Sequence, residues 1–213
     1  MQERFSDLKI DQASVNAVDE ACEVSLALPS GGSITMEQTQ ALLAIDVDKG
    51  AAISAAAAAN EAAKLIASQM RLRGLGGLIV VDFPNLRQPK QRKTLERTFE
   101  AAYEADPNLT KFNSLSRFGV VEMTRAKPDL SLDDVLNTKY GEPTVATQAI
   151  RALRRLTREA AVSPGAQLEL FVTPETEAWL NDAHFDWKAE LTDRIGGRFK
   201  LVSVPSVDVK ADR

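Results

Sequence analysis

The sequence predicts an α/β (α+β) fold in two parts, and three observations carry that prediction. Two apolar runs of strand length, residues 42–47 (LLAIDV) and 78–83 (LIVVDF), each carry an aspartate near the C-terminal end. A helical stretch joins them, which makes a β-α-β unit. After a polar interval, a smaller unit repeats the alternation as α-β-α-β.

The elements follow in chain order. Residues 23–28 and 33–36 are extended pieces joined by Pro29-Ser30-Gly31-Gly32, a turn sequence, and they form a hairpin leading into the sheet. Residues 42–47 and 78–83 are apolar on both faces, as expected of strands covered by helices on each side. Asp46 and Asp82 follow Ala44 and Val80 by two positions, so each lies on a defined strand face. Between them, residues 54–73 are helical, with Leu65, Ile66, Gln69, Met70 and Leu72 as the apolar stripe. Gly74, Gly76 and Gly77 end that helix and turn the chain into the next strand. A right-handed crossover sets the two strands side by side and brings Asp46 and Asp82 to one edge of the sheet, where open α/β sheets bind ligands.

A second helix spans residues 89–106, with Leu95, Phe99, Ala102 and Tyr103 inward and Lys90, Arg92, Lys93 and Arg97 around the rest. A short strand at 111–113 and an alternating strand at 119–124 (GVVEMT) complete the first part. Residues 126–144 are polar, with Pro128, Gly141 and Pro143, and read as a linker. The second part comprises a helix at 147–161, a strand at 167–172, a helix from Pro174 capped by Thr173, and a strand at 199–204. The tail from Pro205 is polar and expected to be loose. The division is therefore 1–125, a linker at 126–146, and 147–213.

Composition narrows the chemistry. With 44% hydrophobic and 26% charged residues over 213 positions, this is an ordinary globular chain able to bury a sizeable core. No run reaches the roughly 18 apolar residues of a membrane helix, and the polar N-terminus is no secretory signal. Cys22 is the only cysteine, which excludes an internal disulfide and a cysteine zinc site within the chain, and suits a reducing cytoplasm. His184 is the only histidine, so His-rich metal sites are excluded and a Ser-His-Asp triad is disfavoured. Catalysis must rest on carboxylates, amines or hydroxyls.

The net charge of -4 argues mildly against nucleic acid, but its distribution is bipolar. The first 48 residues are acidic, while Arg71, Arg73, Arg87, Lys90, Arg92, Lys93, Arg117 and Arg125 gather in the middle. Such residues suit RNA phosphates, and they equally suit solvated helix faces. Arg117 beside Phe118 offers a cation and a ring for unstacked bases, although a lone Phe also fits a core. Trp179 and Trp187 read as packing or an interface. Two aspartates at neighbouring strand ends fit magnesium, a hard ion held by one or two carboxylates plus substrate phosphate. Asp48 points to the same side and is a candidate third ligand, or a holder of a metal-bound water. Aspartates at strand ends also cap helices and close turns, and Asp48 precedes Lys49-Gly50, so spacing alone leaves both roles open.

Taken in order, LPSGGSI (28–34), AIDVD (44–48), RLRGLGGLIVVDF (71–83) and SRFGVVEMTR (116–125) resemble the catalytic core of the ribonuclease E/G family. The likeness runs from about Phe5 to Arg125, and the second part resembles the family's small C-terminal domain. The resemblance implies a DNase I-like mixed sheet with flanking helices, and a magnesium-dependent endoribonuclease that hydrolyses single-stranded RNA. It assigns catalytic magnesium, or manganese in its place, to Asp46 and Asp82. The third metal-side position, usually asparagine, is Asp48. The family's arginines and acidic pair after that position are replaced by Ala51, Ala52 and the alanine run 55–59. The family's amino-terminal RNA-binding domains, its 5′-end pocket and its paired-cysteine zinc link have no counterpart in these residues, which fits a short member or a piece of a longer one. The resemblance further implies a cytoplasmic protein without zinc or membrane contact, and a homodimer through the small domain. The losses favour an alternative, a non-catalytic RNA-binding or assembly protein of the same family.

Overall fold

The computed structural model describes residues 17, 18 and 20–205. The N-terminal residues and all of the expected tail beyond Pro205 lie outside that set. The chain divides into two compact units at the Leu132–Asp133 bond. Among the described residues no helix is long and apolar enough to cross a membrane.

The first unit holds a mixed six-stranded sheet. Its strands are β1 (Ser25–Ala27), β2 (Ser33–Gln38), β3 (Leu43–Asp48), β4 (Gly77–Asp82), β5 (Thr110–Phe112) and β6 (Val120–Arg125), in the order β1-β2-β3-β4-β6-β5. Only β3 and β4 run parallel, joined by helix α1 (Ala55–Arg73); helix α2 (Pro89–Tyr103) follows β4. Both helices belong to one core with Ile34, Met36, Leu43, Ile45, Val47, Ile79, Val81, Val121 and Met123. These are alternate strand positions, so the core occupies one face of the sheet.

The opposite face corrects the expectation of helices on both sides. Ala44 and Val80 are only partly buried, and Leu78, Asp46, Asp82 and Glu122 are exposed. Continuous apolar runs suggested two covered faces, but the antiparallel neighbours β2 and β6 alternate, and an antiparallel ladder tolerates one wet face.

Helix α1 also differs in which residues it buries. Ala58, Ala59, Ala62, Ala63 and Ala67 are fully buried with Ile66 and Met70, whereas Leu72 is exposed. An alanine face lets the helix approach the sheet and α2 closely. The two helices are tied by Thr98 Oγ1 donating to Asn60 Oδ1 at 2.7 Å. Ser54 caps α1 by accepting from the Ala57 amide, and Gly74 closes it in the left-handed region. Helix α2 buries Leu95, Phe99 and Tyr103, as its pattern predicts.

The stretch read as a linker carries a short helix, α3 (Leu132–Leu136), at the division and a β-bridge between Asn137 and Pro143. The second unit contains α4 (Val145–Val162), β7 (Leu168–Val172), α5 (Pro174–Asn181), α6 (Trp187–Ile195) and β8 (Phe199–Ser203), with β7 and β8 parallel. The single helix expected between its strands is two, because Asp186 starts a new one by accepting from the Ala189 amide. Trp187 belongs to this core, and its indole N–H donates to Leu180 O.

Candidate active site

Strand β4 ends level with Asp46, two residues before the end of β3. Their parallel register pairs Ala44 with Val80 and Asp46 with Asp82. The even positions of β3 and β4 face away from the core, so both aspartates stand exposed on the open face, on strands about 4.8 Å apart. An ionised carboxylate only accepts hydrogen bonds, and two such groups side by side attract a cation.

Asp48 lies on the same face, one row further along. Its Oδ1 accepts the Gly50 amide at 2.9 Å, which is the turn role its position suggested. Among the described residues no three His, Cys, Asp or Glu side chains gather closely enough to hold a metal, so Asp48 does not complete a three-carboxylate group with Asp46 and Asp82. The hairpin at 28–32 packs directly on this turn. A Cβ on Gly32 would lie 2.5 Å from Asp48 O, and one on Gly50 would lie 2.7 Å from Gly31 O. The two glycines thus let two backbones touch and fix where β3 ends. Gly32→Ala is expected to lower stability by about 1–3 kcal/mol, the usual cost of overpacking, read as a lower urea midpoint at unchanged slope.

A loop from β6 approaches Asp82 from the other side. The Phe83 amide donates to Gly119 O at 3.0 Å, and Asp82 is in register with Val120. Gly119 has φ 90°, and a Cβ there would stand 2.9 Å from Phe83 O and 3.9 Å from Asp82 Oδ1. Phe118, at the tip, is 82% exposed and so is not a core residue. The Arg117 guanidinium lies 5.7 Å from the centre of that ring. An exposed aromatic ring and an exposed cation thus precede, by one and two residues, the glycine that abuts Asp82.

The basic residues separate into groups. Arg87, Lys90 and Lys93 are exposed where α2 begins, at the edge that carries Asp82. Arg92 shares that edge but is partly buried, and its Nη2 donates to Leu115 O at 2.8 Å and to Ser116 O. Arg71 and Arg73 close α1 just ahead of Gly77, at the opposite end of β4 from Asp82, about 17 Å away at roughly 3.3 Å per residue. Arg71 donates to Ala102 O, and Arg73 is half-buried: burial pulls its guanidinium down, against the raising influence of Cys22, Glu20 and Glu23.

Arg125 corrects the sequence reading most sharply. It pairs in register with Gly77 at that far end and is buried, and its guanidinium forks onto Asp106 through two 2.9 Å hydrogen bonds. Its third arm donates to Leu75 O. Its side chain is 1% exposed and out of reach of RNA, so Arg125 is a core staple.

Sequence reasoning missed Glu122 and Asn113. Glu122 is opposite Val80 on the open face, and Asn113 Nδ2 donates to its Oε2 at 3.3 Å. The alternation of GVVEMT already placed Glu122 opposite Val121 and Met123; the missing signal was that this face is uncovered.

The profile of the Ribonuclease E/G family matches residues 2–128. Ribonuclease G of Haemophilus influenzae is 29% identical over 201 residues, covering 87% of this chain and 41% of that protein. Ribonuclease G of Escherichia coli (strain K12) is 28% identical over 204 residues, 89% of this chain and 42% of that protein. Ribonuclease E of Escherichia coli (strain K12) is 37% identical over 137 residues, 61% of this chain and 12% of that protein. The chain spans about two fifths of the length of these ribonuclease G relatives.

Proposed function

The chain belongs to the ribonuclease E/G family, and from that premise we propose that it is a magnesium-dependent endoribonuclease that hydrolyses phosphodiester bonds in single-stranded RNA. The observation that carries this reading is the register pairing of Asp46 with Asp82 on the uncovered sheet face. Two exposed carboxylates on neighbouring strands fit magnesium, which takes one or two protein carboxylates and fills its shell with waters and phosphate oxygens. Manganese fits the same donors, and Asp48, one row further along, would hold a water of the ion's shell rather than the ion itself. Bound there, the ion would polarise the phosphodiester and assist in-line attack by water.

The chain's own residues supply the placement. Phe118 offers a stacking face for an unpaired base and Arg117 a charge for the adjoining phosphate. Arg87, Lys90 and Lys93 neutralise phosphates further along the strand, which gives affinity without sequence choice. A cytoplasmic setting and a homodimer through the second unit accompany this reading as family expectations.

The experiment is cleavage of a labelled single-stranded RNA with and without magnesium, beside Asp46→Asn and Asp82→Asn. Cleavage that needs magnesium and both aspartates supports the enzyme. Ala51, Ala52 and the alanine run favour the second reading, a non-catalytic RNA-binding or assembly protein. Equal RNA binding by all three proteins, with no cleavage by any, would establish that reading instead.

A further inference from the structure

We propose that Arg92 and Glu96 are positioning residues: from one face of α2 they clamp the turn that holds Phe118 and Arg117 beside Asp82. This rests on the proposed RNA site and adds to it two side chains that touch neither metal nor RNA.

The two residues are one helical turn apart, so their side chains leave α2 in the same direction. Arg92 Nη2 donates to Leu115 O at 2.8 Å and to Ser116 O, while Glu96 Oε1 accepts the Leu115 amide at 3.1 Å. Both backbone polar groups of Leu115 are thereby satisfied from α2, and its side chain is sunk in the core. The turn is then closed from within. Ser116 Oγ accepts the Phe118 and Val120 amides at 3.3 and 3.1 Å, and the Gly119 amide donates to Ser116 O at 3.1 Å. Its far end is tied by the Phe83 amide donating to Gly119 O.

This lattice explains an otherwise unfavourable arrangement. A phenylalanine that is 82% exposed gains by folding back onto apolar surface. A backbone held at Leu115, Ser116 and Gly119 keeps the ring upright and ordered before any base arrives, which reduces the entropy lost on binding. The clamp uses the geometry of arginine, one planar nitrogen bridging two carbonyls, rather than its charge alone. Arg92 therefore differs from Arg87, Lys90 and Lys93, whose exposed charges are free to meet phosphate.

The test uses the whole chain as wild type, Arg92→Met, Arg92→Lys, Phe118→Ala and the Arg92→Met/Phe118→Ala pair. Hydrogen exchange of the peptide covering residues 113–121 is measured without RNA. Affinity for a fluorescein-labelled single-stranded oligoribonucleotide is measured by anisotropy in EDTA, where nothing is cut. Phe118→Ala is expected to weaken binding about tenfold, the scale of one lost base stack. Arg92→Met is expected to match it and to speed exchange of the turn amides. The double variant is expected to lose no more than either single one, since both act through one group. Arg92→Lys, which keeps the charge, is expected not to restore binding.

Unchanged exchange in Arg92→Met overturns the clamp. So do losses that multiply in the double variant, or full rescue by lysine, which would make Arg92 a phosphate contact. Failure of the RNA reading looks different: Phe118→Ala binds like wild type, or wild type does not bind, while the exchange result still judges the clamp. If Arg92→Met does not fold, Glu96→Ala carries the same expectations on a smaller scale.

Discussion

Asp82→Asn is expected to yield a folded protein, slightly more stable than the wild type, that no longer cuts RNA. Asp82 and Asp46 are directly opposed across a parallel ladder, and both are exposed acidic side chains. Like charges in that position repel, and neutralising one is expected to add about 0.2–1 kcal/mol to stability. The gain should shrink as salt rises, because exposed charges are screened. Activity moves the other way. A metal contributes several kcal/mol to phosphodiester cleavage, and each 1.4 kcal/mol or so is a factor of ten, so losing a ligand should cost about a thousandfold. Initial cleavage rates in magnesium and urea unfolding at two salt concentrations measure the two effects. Cleavage at the wild-type rate would end the two-aspartate reading. An inactive protein that is also several kcal/mol less stable would mean that Asp82 is structural, and its inactivity would say nothing about the metal.

The side-by-side placement of Asp46 and Asp82 was legible in the sequence because the two apolar runs close alike. LLAIDV and LIVVDF each set aspartate two residues after a small or branched apolar residue, and a crossover helix of ordinary length leaves few alternatives to side-by-side strands. The covering of the sheet was not legible. Ala44, Leu78 and Val80 are apolar, yet they lie on the wet face, and only the one-sided burial of the folded strands reveals this. The basic residues were the least legible. Arg92, Arg117 and Arg125 are the same letter in one charged region, but they are respectively a backbone clamp, an exposed cation and a buried ion pair. Charge is written in the sequence, whereas the partner that consumes it is set by contacts between residues far apart in the chain. Asp106, which fixes the role of Arg125, lies 19 positions away, and its place in the sequence marks only the end of a helix.

Arg125→Met is the substitution with the largest expected effect on folding. Arg125 and Asp106 have side chains 1% and 0% exposed, and the same guanidinium holds Leu75 O. Three segments meet there: the end of β6, the exit of α2 and the approach to β4. Methionine would fill most of the volume but leave a buried carboxylate and a buried carbonyl without their donor. Breaking a buried pair from one side typically costs about 3–5 kcal/mol, so the urea midpoint at pH 7 should fall steeply. Replacing both partners, Arg125→Met with Asp106→Leu, should recover much of that loss, because no unpaired charge remains.

The pH dependence gives an independent check. Burial pushes the Asp106 carboxyl up, but the hydrogen bonds from Arg125 and from the Asn108 amide, with the charges of Arg125 and Arg71, outweigh it and hold the group below its ordinary value. A depressed carboxylate contributes stability above its unfolded value and loses it as pH falls through the folded one. The gap between wild type and Arg125→Met should therefore be full at neutral pH and begin to close below about pH 4. An RNA-contacting Arg125 would behave in the opposite manner: Arg125→Met would weaken binding of a single-stranded oligonucleotide, leave the urea midpoint alone and show no acid closure. The two outcomes separate a staple from a phosphate contact without any measurement of catalysis.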